Sequence, residues 1–185
     1  MKAEAAPEFS RTYRLTQVRQ QPLTVQVEAD EAERTALARR FGLVSLDRLE
    51  ASVTLTADGE DILADGTLVA AVEQACVASG EPIAVVLDEP LALRFTPEPE
   101  SSDVDDDDEE MAESSADLDD RDLIHYEGGS VDIGEAIAQT LLLSLDPYPR
   151  SPDADSFLRE KGVVREEDAG PFSALAALKD QLEKK

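Results

Sequence analysis

A run of acidic residues near the middle of the chain limits most strongly what this sequence can fold into. Residues 98–122 contain 14 Asp or Glu and one Arg, and they include an uninterrupted run from Asp105 to Glu110. Such a segment has almost nothing to bury, so burial cannot offset the conformational entropy that ordering it would cost. The sequence therefore predicts a disordered acidic loop over residues 97–121, inserted into a folded domain.

The charge of the whole chain restricts its partners. The 185 residues carry a formal net charge of −25 at pH 7, and the folded remainder is acidic even without the loop. A field of that sign repels phosphate backbones and attracts cationic partners. We therefore expect no direct RNA contact unless a basic partner intervenes. Solubility is the simpler explanation of the charge.

The first fifty residues predict two strands and a helix. Residues 9–15 and 22–28 alternate between apolar and polar side chains, as half-buried strands do. Asp30 and Glu33 have the spacing of a capping box, and Gly42 follows twelve residues after Asp30. These signals predict a helix over residues 31–41.

The next segment predicts strands joined by tight turns. Residues 48–56 alternate strictly, and Asp58-Gly59 then supplies a hairpin turn. A return strand passes through Ile62, and Asp65-Gly66 predicts a bulge or a kink. Residues 67–76 are apolar on both faces, which indicates a central strand.

Further strands and a second helix follow. Residues 83–95 predict a strand interrupted at Asp88-Glu89-Pro90, and residues 123–126 predict a short one. Asp132 and Glu135 repeat the capping-box spacing, so residues 133–144 are predicted to form a helix.

These elements predict an α+β fold. Residues 1–150 are expected to form one domain with an antiparallel sheet of about five or six strands and two packed helices, because consecutive strands share tight turns. Residues 151–185 are expected to form a polar arm with a C-terminal helix over residues 171–183.

We expect no enzymatic activity, no cofactor and no metal site. The only histidine, His125, lies in a short strand, where a structural or exposed role is expected. The only cysteine, Cys76, ends an apolar strand, and a buried packing role is expected because no basic residue follows to stabilise a thiolate. A Gly-rich phosphate loop and a calcium loop are absent from the sequence. A small hydrolase would need a pocket that the pattern does not reveal.

The protein is expected to be cytoplasmic. The first nine residues contain no apolar run, no stretch approaches the roughly 18 apolar residues of a membrane span, and a single cysteine cannot form an internal disulfide. We expect a monomer without membrane contact.

Three segments in order resemble one protein family. They are residues 29–43, 72–83 and 131–150, the last ending in Asp-Pro-Tyr-Pro-Arg after a Leu-rich helix. With the acidic loop and the Pro-Phe-Ser-Ala-Leu-Ala-Ala-Leu-Lys ending, the chain resembles the YceD family of bacterial and plastid proteins, in the form seen in alphaproteobacteria.

The resemblance implies a role in accumulation of 23S ribosomal RNA, and hence in ribosome assembly, with no established enzymatic activity. Many family members carry a second cysteine soon after the first. Ser79 and its neighbours offer none here, so a metal site attached to the family does not carry over.

Charge suggests how such a role would work. One hypothesis is that the chain binds a basic large-subunit ribosomal protein or a pre-ribosomal particle. The alternative is an acidic protein-binding module, or nucleic-acid mimic, that regulates a basic partner outside the ribosome.

The candidate contact residues are few. They are the acidic run Asp105, Asp106, Asp107 and Asp108, together with Tyr148 and Arg150 in the proline-rich turn. The simpler reading of that turn is that Pro147 and Pro149 only stop the helix while Tyr148 packs on the sheet.

Overall fold

A computed structural model of the chain describes residues 7–98 and 121–163. The chain divides into two compact units. The first unit comprises Met1–Glu73 and Ala84–Leu145, and the second comprises Gln74–Ile83 and Asp146–Lys185. The predicted C-terminal helix over residues 171–183, and all but the ends of the predicted loop over residues 97–121, lie outside the described residues.

The described residues form seven strands and four helices. In chain order they are β1 (Thr12–Arg14), α1 (Leu15–Val18), β2 (Leu23–Glu28), α2 (Glu31–Phe41), β3 (Ser45–Asp58), β4 (Asp61–Ala75), β5 (Pro82–Pro97), β6 (Asp122–Tyr126), β7 (Ser130–Asp132), α3 (Ile133–Ser144) and α4 (Ala154–Glu160). The α+β class is confirmed, and both predicted helices, residues 31–41 and 133–144, are confirmed at their bounds.

The expectation of an antiparallel sheet is wrong in detail. The main sheet has the strand order β2-β3-β4-β5-β6, and β6 runs parallel to β5, with Leu93 opposite Asp122. A separate two-stranded sheet pairs β1 with β7. A parallel pair needs a crossover of a dozen or more residues, whereas a hairpin needs only two. The long acidic segment between β5 and β6 supplies that crossover, so the main sheet is mixed.

The hydrophobic core of the first unit follows the predicted alternation. On β3 the odd-numbered side chains from Leu49 to Leu55 are buried, and β4 is the central strand of the five, as its two apolar faces predicted. The helices add a stripe of fully buried side chains, which are Leu37 of α2 and Ile133, Ile137 and Leu141 of α3. Burial of aliphatic side chains therefore dominates this core.

The bulge predicted at Asp65-Gly66 is wrong, because the register shift lies on β3 between Leu46 and Arg48. Gly66 serves a different purpose. A Cβ atom on Gly66 would lie 2.0 Å from the carbonyl oxygen of Ser52 on the neighbouring strand. Only glycine permits this close approach of two backbones, and β4 therefore continues without a break.

Three further expectations are corrected. Residues 9–15 do not form one strand: β1 covers three residues, and α1 then buries Leu15 and Val18, which have i, i+3 spacing. The interruption predicted at Asp88-Glu89-Pro90 is absent, because β6 pairs with β5 only from Leu93 onward and proline is tolerated where an edge is open. Helix α4 lies in the arm where no element was predicted before residue 171.

The capping box predicted for α2 is present. Helix α3 has only one half of its predicted box, the half that Asp132 provides. Asp30 accepts a hydrogen bond from the Glu33 amide (2.8 Å), and the Glu33 carboxylate accepts one from the Asp30 amide (2.9 Å). Asp132 likewise accepts from the amides of Gly134 and Glu135. The Glu135 carboxylate does not complete a box, because it forms a bidentate ion pair with Arg40 of α2 (2.7 and 2.9 Å).

Two arginines connect the helices of the first unit to their surroundings. Arg11 forms a bidentate pair with Glu33 (2.7 and 2.8 Å), and Arg40 joins Glu135 to Glu8. The guanidinium of Arg11, as hydrogen-bond donor, lowers the pKa of Glu33 below its ordinary value. Arg40 lowers the pKa of Glu135 in the same way.

Replacing Arg40 should loosen the contact between α2 and α3. We expect Arg40→Ala to lower the free energy of unfolding by roughly 1 kcal/mol, because the pair is partly solvated but bidentate. Urea unfolding followed by circular dichroism measures this change. The matched control is Arg39→Ala on the same helix, which removes an exposed arginine and should change stability by less than about 0.5 kcal/mol. Equal effects of the two variants would contradict a stabilising role for the pair.

The difference in unfolding free energy between wild type and Arg40→Ala should depend on pH in a defined direction. A carboxylate whose pKa is lowered by folding stabilises the folded state above its unfolded pKa, about 4.3 for Glu, and loses this contribution as pH falls through the folded pKa. The gap in unfolding free energy between wild type and Arg40→Ala should therefore be constant from pH 7 to 5 and shrink between pH 4 and 3. If this difference in unfolding free energy grew on acidification, the ion pair with Glu135 would not be the source of the stabilisation by Arg40.

Candidate partner-binding site

The two ends of the acidic segment are anchored along the β6 edge of the main sheet, one at each end of β6. The amide of Glu98, where β5 ends, donates to the carbonyl of Tyr126 at the end of β6 (2.9 Å). At the other end, Arg121 donates to Asp65 of β4 (2.6 Å). The acidic run from Asp105 to Asp108 lies between these anchors and outside the described residues. The fold therefore determines where the segment leaves and rejoins the first unit.

The turn between β3 and β4 adds carboxylates near the C-terminal end of β6. Arg94 of β5 donates to Asp61 (2.7 Å) and lies 3.5 Å from Asp58, and the hydroxyl of Tyr126 donates to the carbonyl of Glu60 (2.9 Å). These contacts hold the turn against β5 and β6. Carboxylates of the first unit thus lie near both ends of the acidic segment, those of the turn where it begins and that of Asp65 where it ends.

The proline-rich turn lies in the second unit, and it presents its tyrosine to solvent. Tyr148 is 74% exposed, so the expectation that it packs on the sheet is wrong. The carboxylate of Asp146 accepts a hydrogen bond from the Tyr148 amide (2.8 Å), which closes an Asx turn. Pro147 and Pro149 fix φ on both sides of Tyr148. The tyrosine is therefore exposed on a stiff backbone.

Three hydrogen bonds within the second unit hold this turn along the end of β4. The side-chain amide of Gln74 donates to the carbonyl of Asp146 (2.9 Å). The Val77 amide donates to the carbonyl of Pro149 (2.9 Å). The Ser151 amide donates to the sulfur of Cys76 (3.3 Å). Gln74 is the buried polar side chain of the described core, with 8% of its surface exposed, which identifies it as a positioning residue.

Apolar and charged groups accompany Tyr148 on the surface of the second unit. Val77, whose amide binds the turn, is 52% exposed. Arg150 is exposed as well, and its guanidinium lies 3.8 Å from Asp155 of α4. Tyrosine and arginine are the residues that most often dominate the energetics of protein interfaces.

Cys76 is a packing residue that also accepts a hydrogen bond. It is 2% exposed, as predicted. The Ser151 amide and the Ser79 hydroxyl lower the pKa of its thiol, and burial opposes that shift. Hydrogen bonding to sulfur is a role that the sequence pattern did not indicate.

The two carboxylates beside His125 have structural partners. His125 is exposed on β6 and lines a depression of about 280 Å³ together with Ser130, Asp132 and Glu135. The Asp132 carboxylate caps α3, and the Glu135 carboxylate binds Arg40. Within residues 7–98 and 121–163, no three His, Cys, Asp or Glu side chains come together as a metal site.

The structure thus brings together some of the predicted contact residues. Tyr148 and Arg150 share one turn of the second unit. Gln74 and Val77 were missed by sequence reasoning, although a polar residue within the apolar strand before Cys76 is the signal that marks Gln74. Among the described helices, none has both the length and the apolar character that crossing a bilayer requires.

These features define an acidic α+β protein with an anchored acidic crossover and an exposed tyrosine turn. The chain belongs to the YceD family: the family model described as large ribosomal RNA subunit accumulation protein YceD matches residues 64–179, well over half of its length. The match includes both the acidic crossover and the tyrosine turn. Comparison with curated proteins and with solved structures found no match.

Loss of the Gln74 amide should free the turn. In Gln74→Leu the carbonyl of Asp146 loses its donor, and we expect the amides of Val77 and Ser151 to exchange with solvent about tenfold faster, in line with a lost hydrogen bond of about 1.4 kcal/mol. Hydrogen exchange resolved by NMR measures this, with the amide of Leu68 as an internal reference.

The matched control is Gln17→Leu on α1, where the same change affects an exposed side chain. It should leave the Val77 and Ser151 amides unchanged. Unaltered exchange in Gln74→Leu would show that Gln74 does not position the turn.

Proposed function

We propose that this chain is a non-enzymatic assembly factor that supports accumulation of large-subunit ribosomal RNA by binding a basic ribosomal protein or an assembly intermediate. The family match carries the assembly role. The kind of partner is inferred from charge: residues 51–185 contain 34 acidic and nine basic residues, whereas residues 1–50 contain eight of each. The whole net charge of −25 therefore belongs to the part of the chain that contains the acidic crossover.

Electrostatics supports a protein partner over naked RNA. Binding to phosphates gains free energy by counterion release from Lys and Arg contacts, and this chain carries 42 acidic residues against 17 basic ones. A cationic protein gains from the same field, because opposite charge raises the rate of encounter. We infer that the carboxylates from Asp105 to Asp108 provide long-range attraction to such a protein.

The tyrosine turn supplies a short-range contact in this proposal. A charge-rich segment attracts many cations, so specificity requires groups of defined shape. Tyr148 offers a large amphipathic surface, and its stiff backbone reduces the entropy lost on binding. Arg150 adds a planar donor beside it. We propose that Tyr148 and Arg150 anchor the partner after electrostatic encounter, with the protein acting as a cytoplasmic monomer.

A complementation experiment tests the assembly role. In a deletion strain we expect 23S ribosomal RNA to decrease relative to 16S RNA, and the tagged wild-type chain should restore it and co-sediment with large-subunit precursors in a sucrose gradient. Normal 23S RNA in the deletion strain, with the protein at the top of the gradient, would overturn the assembly role and favour a basic target outside the ribosome.

Charge variants test the proposed mechanism. Changing Asp105, Asp106, Asp107 and Asp108 to Asn should weaken co-sedimentation at 50 mM salt and reduce its salt dependence, because fewer charges are screened. The control changes four exposed carboxylates elsewhere to amides, at Asp47, Asp88, Asp153 and Glu160, and alters net charge equally. Identical behaviour of the two variants would contradict a specific role for the acidic run.

A further inference from the structure

Strand β2 forms an edge of the main sheet with backbone groups that no described strand pairs. The strand order places β2 outermost, with β3 on its inner side. The Ala29 amide donates to the carbonyl of Leu49 across that pair, and the register then assigns the inward hydrogen bonds to the odd-numbered residues of β2. The amides and carbonyls of Thr24 and Gln26 therefore point away from the sheet.

The free edge is short and has defined ends. Pro22, which precedes β2, has no amide proton to offer a neighbour. At the other end the guanidinium of Arg11 donates to the carbonyl of Glu28 (3.0 Å), which also confirms that even-numbered residues face outward. The available edge therefore runs from Pro22 to Glu28, and its length suits one short added strand.

The side chains on the inner face of this edge are incompletely covered. Leu23 and Val25 pack against the core, yet both stay only half-buried, whereas Val27 is 2% exposed. An added strand would place alternate side chains beside them and extend the core by one row. Apolar side chains at every second position of the added strand fit this face.

The outer face of the same edge has the chemistry of a cation site. A depression of about 300 Å³ is lined by Glu28, Glu50, Gln26, Ser52 and Thr67 together with apolar Val69, and the Gln26 amide donates to the Ser52 hydroxyl within it (2.7 Å). Arg48 pairs with Glu50. Among the described basic residues none forms an ion pair with Glu28, although the guanidinium of Arg48 attracts it electrostatically, so the two carboxylates share one cation. A Lys or Arg side chain from an added strand would find an acceptor there.

From the unpaired backbone groups of this edge and the carboxylates beside it, we propose that the β2 edge binds an extended segment of a basic protein as a sixth strand of the main sheet. Main-chain hydrogen bonds to Thr24 and Gln26 hold the segment, apolar residues cover Leu23 and Val25, and a basic side chain enters the depression beside Glu28. This inference rests on the proposed function, because it names a surface for the same cationic partner. The β2 strand precedes the family match, which begins at residue 64.

A pair of substitutions at one residue isolates the backbone contact. Thr24→Pro removes an outward amide proton but leaves the β2–β3 ladder intact, and Thr24→Ala keeps the proton. Both remove the hydrogen bond between the hydroxyls of Thr24 and Thr54 (3.0 Å). The probe is the total protein extracted from purified large ribosomal subunits, applied to the immobilised full chain, with bound proteins identified by mass spectrometry and then titrated individually.

We expect at least one large-subunit protein to bind wild type and Thr24→Ala equally and to bind Thr24→Pro about tenfold more weakly. Equal binding of the two variants would overturn the edge site but leave the proposed function standing. If wild type retained no large-subunit protein, both the edge site and the proposed partner class would fall. Loss of a self-associated dimer in Thr24→Pro, seen by sedimentation equilibrium, would instead assign the edge to a second copy.

The urea midpoints of Thr24→Pro and Thr24→Ala show whether the proline variant is unstable. If it is, two further measurements still test the proposal. In wild type, addition of the bound protein should slow hydrogen exchange at the Thr24 and Gln26 amides at least tenfold. Glu28→Gln should weaken binding severalfold, whereas Asp88→Asn, an equal change of charge on β5, should not. Unchanged exchange at both amides would overturn the proposal.

Discussion

The carboxylate of Asp132 organises the first unit, because it satisfies donors from two distant parts of the chain, the N-terminal segment and the start of α3. It accepts hydrogen bonds from the first amides of α3, from the Ser10 hydroxyl and from the Arg11 amide (2.8 Å). The N-terminal segment can approach so closely only because Gly134 has no side chain: a Cβ there would lie 2.7 Å from the Arg11 nitrogen. Arg11 then reaches Glu33 in the capping box of α2. Both helices are thereby positioned over the sheet through one connected set of charge-assisted hydrogen bonds.

The acidic crossover affects the fold and the surface together. Its length lets β6 return parallel to β5, and its anchors at Glu98 and Arg121 hold its two ends along the β6 edge of the sheet. Concentrated like charge destabilises a compact state through repulsion. In the sequence, that charge is concentrated in the connection between β5 and β6 and is largely absent from the strands that form the aliphatic core.

The second unit shows how a polar residue in an apolar strand positions an exposed one. Gln74 is buried, and its amide binds the carbonyl that precedes Pro147. Burial of an amide is unfavourable unless it is hydrogen-bonded, so this contact specifies one placement of the turn. Tyr148 is consequently held outward. In the first unit, Pro22 and Arg11 flank the β2 edge, and between them no described strand pairs the outward backbone groups of Thr24 and Gln26.

The order of three sequence segments was enough to indicate the family. Local patterns in the sequence determined both long helices, the alternation of β3 and the central place of β4. These features depend on contacts within a few residues, such as Asp30 with Glu33, or on the periodicity of burial. The parallel pairing of β6, the role of Gly66, the pairing of Glu135 with Arg40, and the exposure of Tyr148 were decided by the tertiary structure. Each depends on a partner far along the chain, and the free energy of such a contact is not encoded in either residue alone.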